Sequence, residues 1–171
     1  MSTEPLVIER TTTEGKVRIL DATGISHIAL CVRDMDKSLE FYRDILGMKV
    51  TADGPTDPTE GGRAHNYAHR RTARRRVSLS YGEGRTHPSL TLTSHPGDDP
   101  DGQPIMLDQV GISHFSFSVP NVKALAEELI AKGVRLAGPL EAYTNAQGEI
   151  RSIYVHDPDG ILVQFDSGGG G

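Results

Sequence analysis

Two histidines end the same four-residue segment, Gly-Ile-Ser-His, which spans residues 24–27 and occurs again at 111–114. Imidazole is a common ligand of divalent metals, so His27 and His114 could hold a metal together if the fold brings them to one place. A plainer interpretation is a pair of strand histidines that make only hydrogen bonds. Metal binding is favoured if both segments hold equivalent positions in a duplicated fold.

The residues after each histidine follow one plan. An apolar run comes first, and then a helix that Asp34 caps in the first half and Asn121 in the second. Each helix ends at a glycine, and the spacing from the repeat to that glycine is almost equal, 24 to 47 against 111 to 133. This agreement indicates a tandem internal duplication. The apolar residues at helical spacing are Met35, Leu39, Tyr42 and Leu46 in the first half, and Val122, Leu125 and Leu129 in the second.

Three short strands follow each helix. They are predicted at 48–50, 75–82 and 89–94 in the first half, and at 134–137, 150–156 and 161–166 in the second. The sequence therefore predicts an α+β fold, in which tandem βαβββ modules form a cupped mixed sheet around a central metal or ligand site. The expected organisation is an N-terminal arm (1–23) with a short strand at 16–20, module one (24–94), a linker (95–110), module two (111–166) and a flexible tail (167–171).

The alternation of side chains along the strands places both histidines on a face of small and polar residues. In each first strand, the histidine shares its face with the second and fourth residues after it, which are Ala, Cys or Ser. Gln164 and Tyr154 fall on the polar face of their own strands by the same alternation. The opposite faces are apolar and are predicted to pack on the helices.

Composition excludes several classes of protein. The formal net charge of −5 argues against nucleic acid as a partner. Cys31 is the only cysteine, which rules out an intrachain disulfide framework and a cysteine-based zinc site, and we expect it to be packed in the interior. No apolar run approaches the ~20 residues of a membrane span. The N-terminus lacks the apolar core of a secretory signal, so we expect a cytoplasmic protein without a membrane partner.

The segments SHIALCVRDMDKSLEFYRDILGMKV (26–50) and HDPDGILVQFD (156–166) resemble the vicinal oxygen chelate superfamily. This superfamily includes glyoxalases, epimerases, extradiol dioxygenases, fosfomycin-modifying enzymes and bleomycin-binding proteins. The resemblance covers residues 24–166 and implies a divalent metal held by the first and last strands of each module. The implied ligand positions are His27, a residue near Thr91, His114 and Gln164. A threonine hydroxyl is a poor ligand, which leaves three.

Three ligands resemble the pattern of the extradiol dioxygenases, which use two histidines and a carboxylate. The sequence around Tyr154 matches the end of their signature, and the resemblance implies that this tyrosine hydrogen-bonds the substrate oxygens beside the metal. The sequence departs from the pattern at two places, since Gln164 replaces the carboxylate and residues 145–147 are Asn-Ala-Gln where the signature has a histidine. The favoured prediction is an extradiol-type dioxygenase with Fe(II), acting on a small vicinal diol or catechol. Mn, Ni, Co or Zn are the alternative metals.

Two neutral imidazoles and an amide leave the metal with its full double charge. Such a site favours an anionic substrate, for instance a catecholate, that supplies the missing charge. Asp166 would become the carboxylate ligand if the strand register were shifted by two residues, although the spacing from the preceding turn selects Gln164. The reaction also needs a general acid or base, for which the candidates are Tyr154, His95 and His156.

The segment 63–76 contains six arginines together with His65 and His69. A solvated loop is the favoured interpretation, and the alternative is steering or clamping of an anionic substrate. Two further functions stay open for the chain. One is a glyoxalase-like lyase or isomerase, and the other is a metal-free protein that sequesters a small molecule. The expected partners are a small-molecule substrate of aromatic or anionic character and a second copy of the chain in a homodimer.

Overall fold

A computed structural model describes the backbone of residues 9–12, 15–18, 25–82 and 88–168, and the side chains of the last two ranges. The predicted tail from residue 169 onward, the remainder of the arm and the first glycine of the repeat lie outside the described residues. The strands are β1 Glu9–Thr12, β2 Gly15–Arg18, β3 His27–Cys31, β4 Lys49–Pro55, β5 Arg75–Ser80, β6 Ser89–Ser94, β7 His114–Ser118, β8 Ser152–His156 and β9 Leu162–Asp166. The α-helices are α1 Met35–Leu39 and α2 Val122–Ala131.

Module one forms a four-stranded sheet in the order β3-β6-β5-β4. The first strand, β3, lies at an edge and runs parallel to the last strand, β6, whereas the other pairs are antiparallel. Asp34 caps α1 as predicted, because its carboxylate accepts hydrogen bonds from the backbone amides of Asp36 and Lys37. The helix then widens into a π-helical turn over Glu40–Ile45 and ends at Gly47, whose φ of 75° suits glycine.

Module two repeats this topology with one strand fewer. Its sheet has the order β7-β9-β8, again with the first strand at an edge and parallel to the last. The prediction of a strand at 134–137 is wrong. This segment pairs with β8 only through a single bridge between Leu136 and Val155 and through the hydrogen bond from the Ala137 amide to the Tyr154 carbonyl (2.7 Å). Pro139 follows at once, and because proline has no amide hydrogen it cannot continue such a ladder.

The apolar faces of both sheets bury their side chains against the helices, as predicted. In the core, Tyr42 of module one stacks on Phe115 of β7, with ring centroids 6.5 Å apart. The Tyr42 hydroxyl donates a buried hydrogen bond of 2.8 Å to the carboxylate of Asp157, and burial raises the pKa of that carboxyl group. Arg33 pairs with Asp159 in the same turn at 3.2 Å. The helical segment of module one is thereby fixed to the β8–β9 turn of module two.

The arm and the long connection contain short elements of their own. β1 and β2 pair antiparallel, where the sequence predicted one strand at 16–20. The predicted loop after β4 starts later than expected, because β4 extends to Pro55, and it includes a 3-10 helical segment at Glu60–Asn66. Among the described residues, none of the helices has the length and apolar character required to cross a bilayer.

Candidate functional site

The repeated Ser-His pair forms the same local structure in both modules. His27 Nδ1 lies 3.0 Å from the hydroxyl of Ser26, and His114 Nδ1 lies 2.9 Å from the hydroxyl of Ser113. A hydrogen bond at Nδ1 fixes the orientation of the ring, and when Nδ1 is the donor the lone pair of Nε2 is available for a metal. The sequence interpretation selected only the histidines. The recurrence of serine before each histidine was the signal for these two supporting residues.

Module two places three of the predicted site residues on one face. Tyr154 and His114 contact each other edge to face, with ring centroids 5.6 Å apart. Gln164 lies directly across from Tyr154 on β8 and from Ser116 on β7. All three predicted residues are half-buried. The predicted sharing of a face by His114, Tyr154 and Gln164 is confirmed, and it forms a compact group of an imidazole, a phenol and an amide.

The strand register also bears on Asp166 as an alternative ligand. His114 is across from Leu162, Gln164 is one row further along the same face, and Asp166 is two rows further, across from Ser118. The Asp166 carboxylate accepts a short hydrogen bond from Ser116 Oγ. The amide of Gln164 is therefore closer along the sheet to His114 than the carboxylate is, in agreement with the spacing that selected Gln164.

Module one presents a different polar face. His27 is exposed at the start of β3, and the next row on its face joins Ala29, Thr91 and Ser78 across three strands. Thr91 occupies the place in module one that Gln164 holds in module two, and it is buried, at 8% exposure. This row is made of small residues. It supplies no further strong metal ligand in the row next to His27.

The two modules meet at a cavity of about 250 Å³ between β3 and β7. His114 lines it together with Ala29 and Cys31, which follow His27 on the polar face of β3. Pro104 and Ile105 of the linker also contribute to its wall. The predicted interior packing of Cys31 is wrong, since its side chain is exposed along this edge, although partial desolvation raises the pKa of its thiol. One chain thus brings His114 and the edge of strand β3 to a common cavity, and His27 itself is not among the lining residues.

The other candidate histidines lie in different surroundings. His95 is buried, its Nδ1 is 2.9 Å from the carbonyl oxygen of Ala73, and its ring packs edge to face with Tyr67 at 5.3 Å. His156 is exposed, with Nδ1 3.1 Å from the Gly160 carbonyl oxygen. His69 pairs with a carboxylate, that of Asp101, at 2.8 Å, and this pairing lowers the pKa of Asp101.

The donors available for a divalent metal are few. Within residues 25–82 and 88–168, no group of three or more His, Cys, Asp and Glu side chains is arranged to hold a metal. A metal held by this chain would therefore depend on His27, His114 and the amide oxygen of Gln164, all of them neutral donors. Imidazole and amide oxygen suit several first-row metals, so the chemistry of the set fits a divalent ion without selecting one.

Comparison with known proteins points to one superfamily. Lactoylglutathione lyase of Pseudomonas aeruginosa is 29% identical over 148 residues, which cover 82% of this chain and 80% of that protein. Lactoylglutathione lyase of Haemophilus influenzae is 27% identical over 146 residues, covering 82% of this chain and 90% of that protein. Among solved structures, the trypanothione-dependent glyoxalase I of Leishmania major superposes with a TM-score of 0.60 at 23% identity, over 85% of this chain and 86% of that one.

The family comparison agrees with the duplicated fold and with the motifs at its two ends. A family description matches residues 24–165, which span both modules and the linker between them. The chain belongs to the Glyoxalase/Bleomycin resistance protein/Dioxygenase superfamily.

Proposed function

We propose that the chain is a metal-dependent lyase or isomerase of glyoxalase type, which acts on a small substrate bearing two adjacent oxygen atoms. The observation that carries this proposal is the common cavity, to which module two contributes His114 and module one contributes the edge of strand β3, the strand that begins at His27. The two curated relatives described above are named lactoylglutathione lyases, which favours this activity over the dioxygenase that the sequence first suggested.

The ligand chemistry also weakens the dioxygenase interpretation. Non-haem Fe(II) oxygenases typically bind their metal with two histidines and one carboxylate. Gln164 and Thr91 hold the last-strand positions here, so neither module supplies a carboxylate there. The preference for Fe(II) depended on that pattern and is not retained. We propose a divalent ion of the first transition row, without a preference among Fe, Mn, Ni, Co and Zn.

The residues of module two would handle the substrate and its protons. A bound divalent metal would fix two substrate oxygens and lower their pKa. Tyr154, edge to face with His114, is positioned to exchange a proton with a substrate bound beside that histidine. Ser113 and Ser26 would keep the two imidazoles oriented. His95 stays a second acid-base candidate, although its hydrogen bond to Ala73 and its packing on Tyr67 support a role in holding the long loop.

A homodimer is proposed as the form in solution. Ile25 and Ile112, the isoleucines of the two repeated segments, are 70% and 83% exposed. Met106, Leu107 and Val110 of the linker are also exposed, so a series of apolar side chains precedes β7. Surfaces of this kind commonly mark protein contacts. Light scattering after gel filtration measures the mass directly, and a monomer at micromolar concentration would contradict this part of the proposal.

The activity is tested with purified chain, first stripped of metal and then loaded separately with each of the five ions. We expect at least one ion to raise the melting temperature, because a ligand that binds only the folded state stabilises it. The loaded protein should form or cleave S-lactoylglutathione, or a related thioester, without consuming oxygen. Oxygen uptake with catechols would favour the dioxygenase instead. If no ion binds, both enzymatic functions fail and a metal-free binding protein is the remaining function.

A further inference from the structure

Asp166 is the one anionic side chain that β7, β8 and β9 present on the polar face of module two. Both of its carboxylate oxygens are held. Oδ1 accepts a hydrogen bond of 2.7 Å from the Gly168 amide, and Oδ2 accepts one from Ser116 Oγ. A carboxylate that is bonded at both oxygens has a fixed orientation, and here one oxygen is fixed on a hydroxyl group of the neighbouring strand.

Ser116 connects this carboxylate to the group around Gln164. Ser116 lies directly across from Gln164, which has Tyr154 on its other side, so a serine and a tyrosine flank the amide in one row. The Ser116 hydroxyl also lies 3.4 Å from the Gln164 backbone carbonyl, but it has a single hydrogen, which the nearer and charged carboxylate accepts. Ser116 is exposed, so the lone pairs of its Oγ can be reached from the polar face.

The row of Ser116, Gln164 and Tyr154 is the next one after His114 on the polar face. Residues that follow each other on one face of a strand are two positions apart, which is about 7 Å. A substrate whose oxygens are held beside His114 therefore extends over this row. Since neighbouring strands are about 5 Å apart, β7 and β8 lie about 10 Å from each other on either side of β9. The substrate would then lie between the Ser116 hydroxyl and the Tyr154 phenol.

Isomerisation of a substrate with two adjacent oxygens moves a proton from one oxygen-bearing carbon to the other. The neutral amide of Gln164 cannot accept this proton, but a hydroxyl bonded to a carboxylate can relay it. As Ser116 Oγ bonds the proton of the substrate, its own proton passes to Asp166. The electrons of the broken C–H bond form a C=C bond, and the carbonyl oxygen takes a proton from Tyr154. Ser116 then returns its proton to the second carbon, and the first hydroxyl returns one to Tyr154, so the cycle needs no oxidant.

We propose that Ser116 is the catalytic residue that removes and returns the carbon-bound proton, and that Asp166 acts through it as the proton acceptor. This inference rests on the proposed function, because it assigns the base that faces Tyr154 across the same substrate. It also accounts for the amide at Gln164, since the base is then separate from the metal ligands. The substrate class is a hydroxycarbonyl compound, in which the carbon that bears the hydroxyl group also bears a hydrogen.

The test follows the exchange of carbon-bound hydrogen for deuterium in heavy water by proton NMR, with the full chain loaded with the ion that stabilises it. The probes are hydroxyacetone, which has a hydroxyl and a carbonyl group on adjacent carbons, and S-lactoylglutathione. Ser116→Ala and Asp166→Asn should each slow the exchange by about 100-fold, the lower end for a general base. Titration calorimetry should show unchanged metal affinity. The double variant should lose no more than either single one, because the two residues act in series. Ser116→Thr retains the hydroxyl and should recover most of the rate.

Ser118→Ala is the matched control, because Ser118 is an exposed serine of the same face, directly across from Asp166. It should leave the exchange rate unchanged. Wild-type rates in Ser116→Ala and Asp166→Asn, or losses that multiply in the double variant, would overturn the inference and leave the proposed function in place. Loss of metal affinity in Asp166→Asn would overturn it as well. Absence of exchange by the loaded wild-type chain with both probes would defeat the proposed function, and this inference with it.

Discussion

The two modules carry the same Ser-His structure at the start of their first strands, yet its surroundings differ. In module two the histidine meets Tyr154, with Gln164 in the next row, and is half-buried. In module one the histidine is exposed, and the rows after it contain small residues and then arginine. Duplication has thus supplied a symmetric pair of imidazoles on asymmetric faces. The candidate proton-exchanging phenol and the candidate amide ligand therefore both belong to module two.

The largest expected effect comes from removing either histidine. If His27 and His114 share one metal, His27→Ala and His114→Ala should each abolish metal binding, and the double variant should lose no more. Isothermal titration with the ion that stabilises the wild type measures this. Partial and additive losses would show two independent sites and would contradict the shared centre.

A mixture of the two single variants tests whether both histidines of one metal site belong to the same chain. The common cavity lies within one chain, so co-refolded His27→Ala and His114→Ala chains should bind no metal. Recovery of binding in the mixture would mean that module one of one subunit pairs with module two of its partner. The site would then be completed across the dimer, and the assignment to a single chain would be wrong.

The fold was largely predictable because its signals are local and repeated. The Asp34 and Asn121 caps and the alternation that groups His114, Tyr154 and Gln164 follow from residue type and spacing. The strand at 134–137 failed because one short apolar segment before Pro139 could not reveal how few pairings it would make. The contact of Tyr42 with Asp157, which lie 115 residues apart, depends on tertiary packing that local patterns do not encode.

The candidate site was only partly predictable for the same reason. The sequence indicated which histidines and which amide share a polar face, but not that Cys31 lines an open edge beside His114. The sequence also identified the arginines of segment 63–76, but it did not show which of them pair with carboxylates. Their separation follows from the register of β5, which turns Arg75 toward two carboxylates and turns Arg76 toward the face of His27.

A smaller effect is expected from the serines that orient the histidines. Removing such a supporting hydrogen bond typically weakens metal binding by about 10- to 100-fold. Ser113→Ala should fall at the upper end, because Ser113 is half-buried and water cannot easily replace its hydroxyl. Ser26→Ala should fall at the lower end, because Ser26 is exposed. Titration of both variants with the same ion tests the asymmetry, and equal losses would show that the surroundings of the two histidines do not matter.

The smallest change concerns the amide at the end of module two. Gln164→Glu would place a carboxylate where the site has only neutral donors. At a partly buried position, attraction between unit charges about 4 Å apart amounts to about 4 kcal/mol, and the cost of desolvating the carboxylate opposes it. We expect metal affinity to rise by about tenfold, and affinity for an anionic substrate to fall because the added charge repels it. Asp166→Asn is the control and should leave metal affinity unchanged. If Asp166→Asn lowers metal affinity instead, Asp166 is the ligand and the Gln164 side chain has only a packing role. The proposed difference between Gln164 in module two and Thr91 in module one would then not concern metal binding.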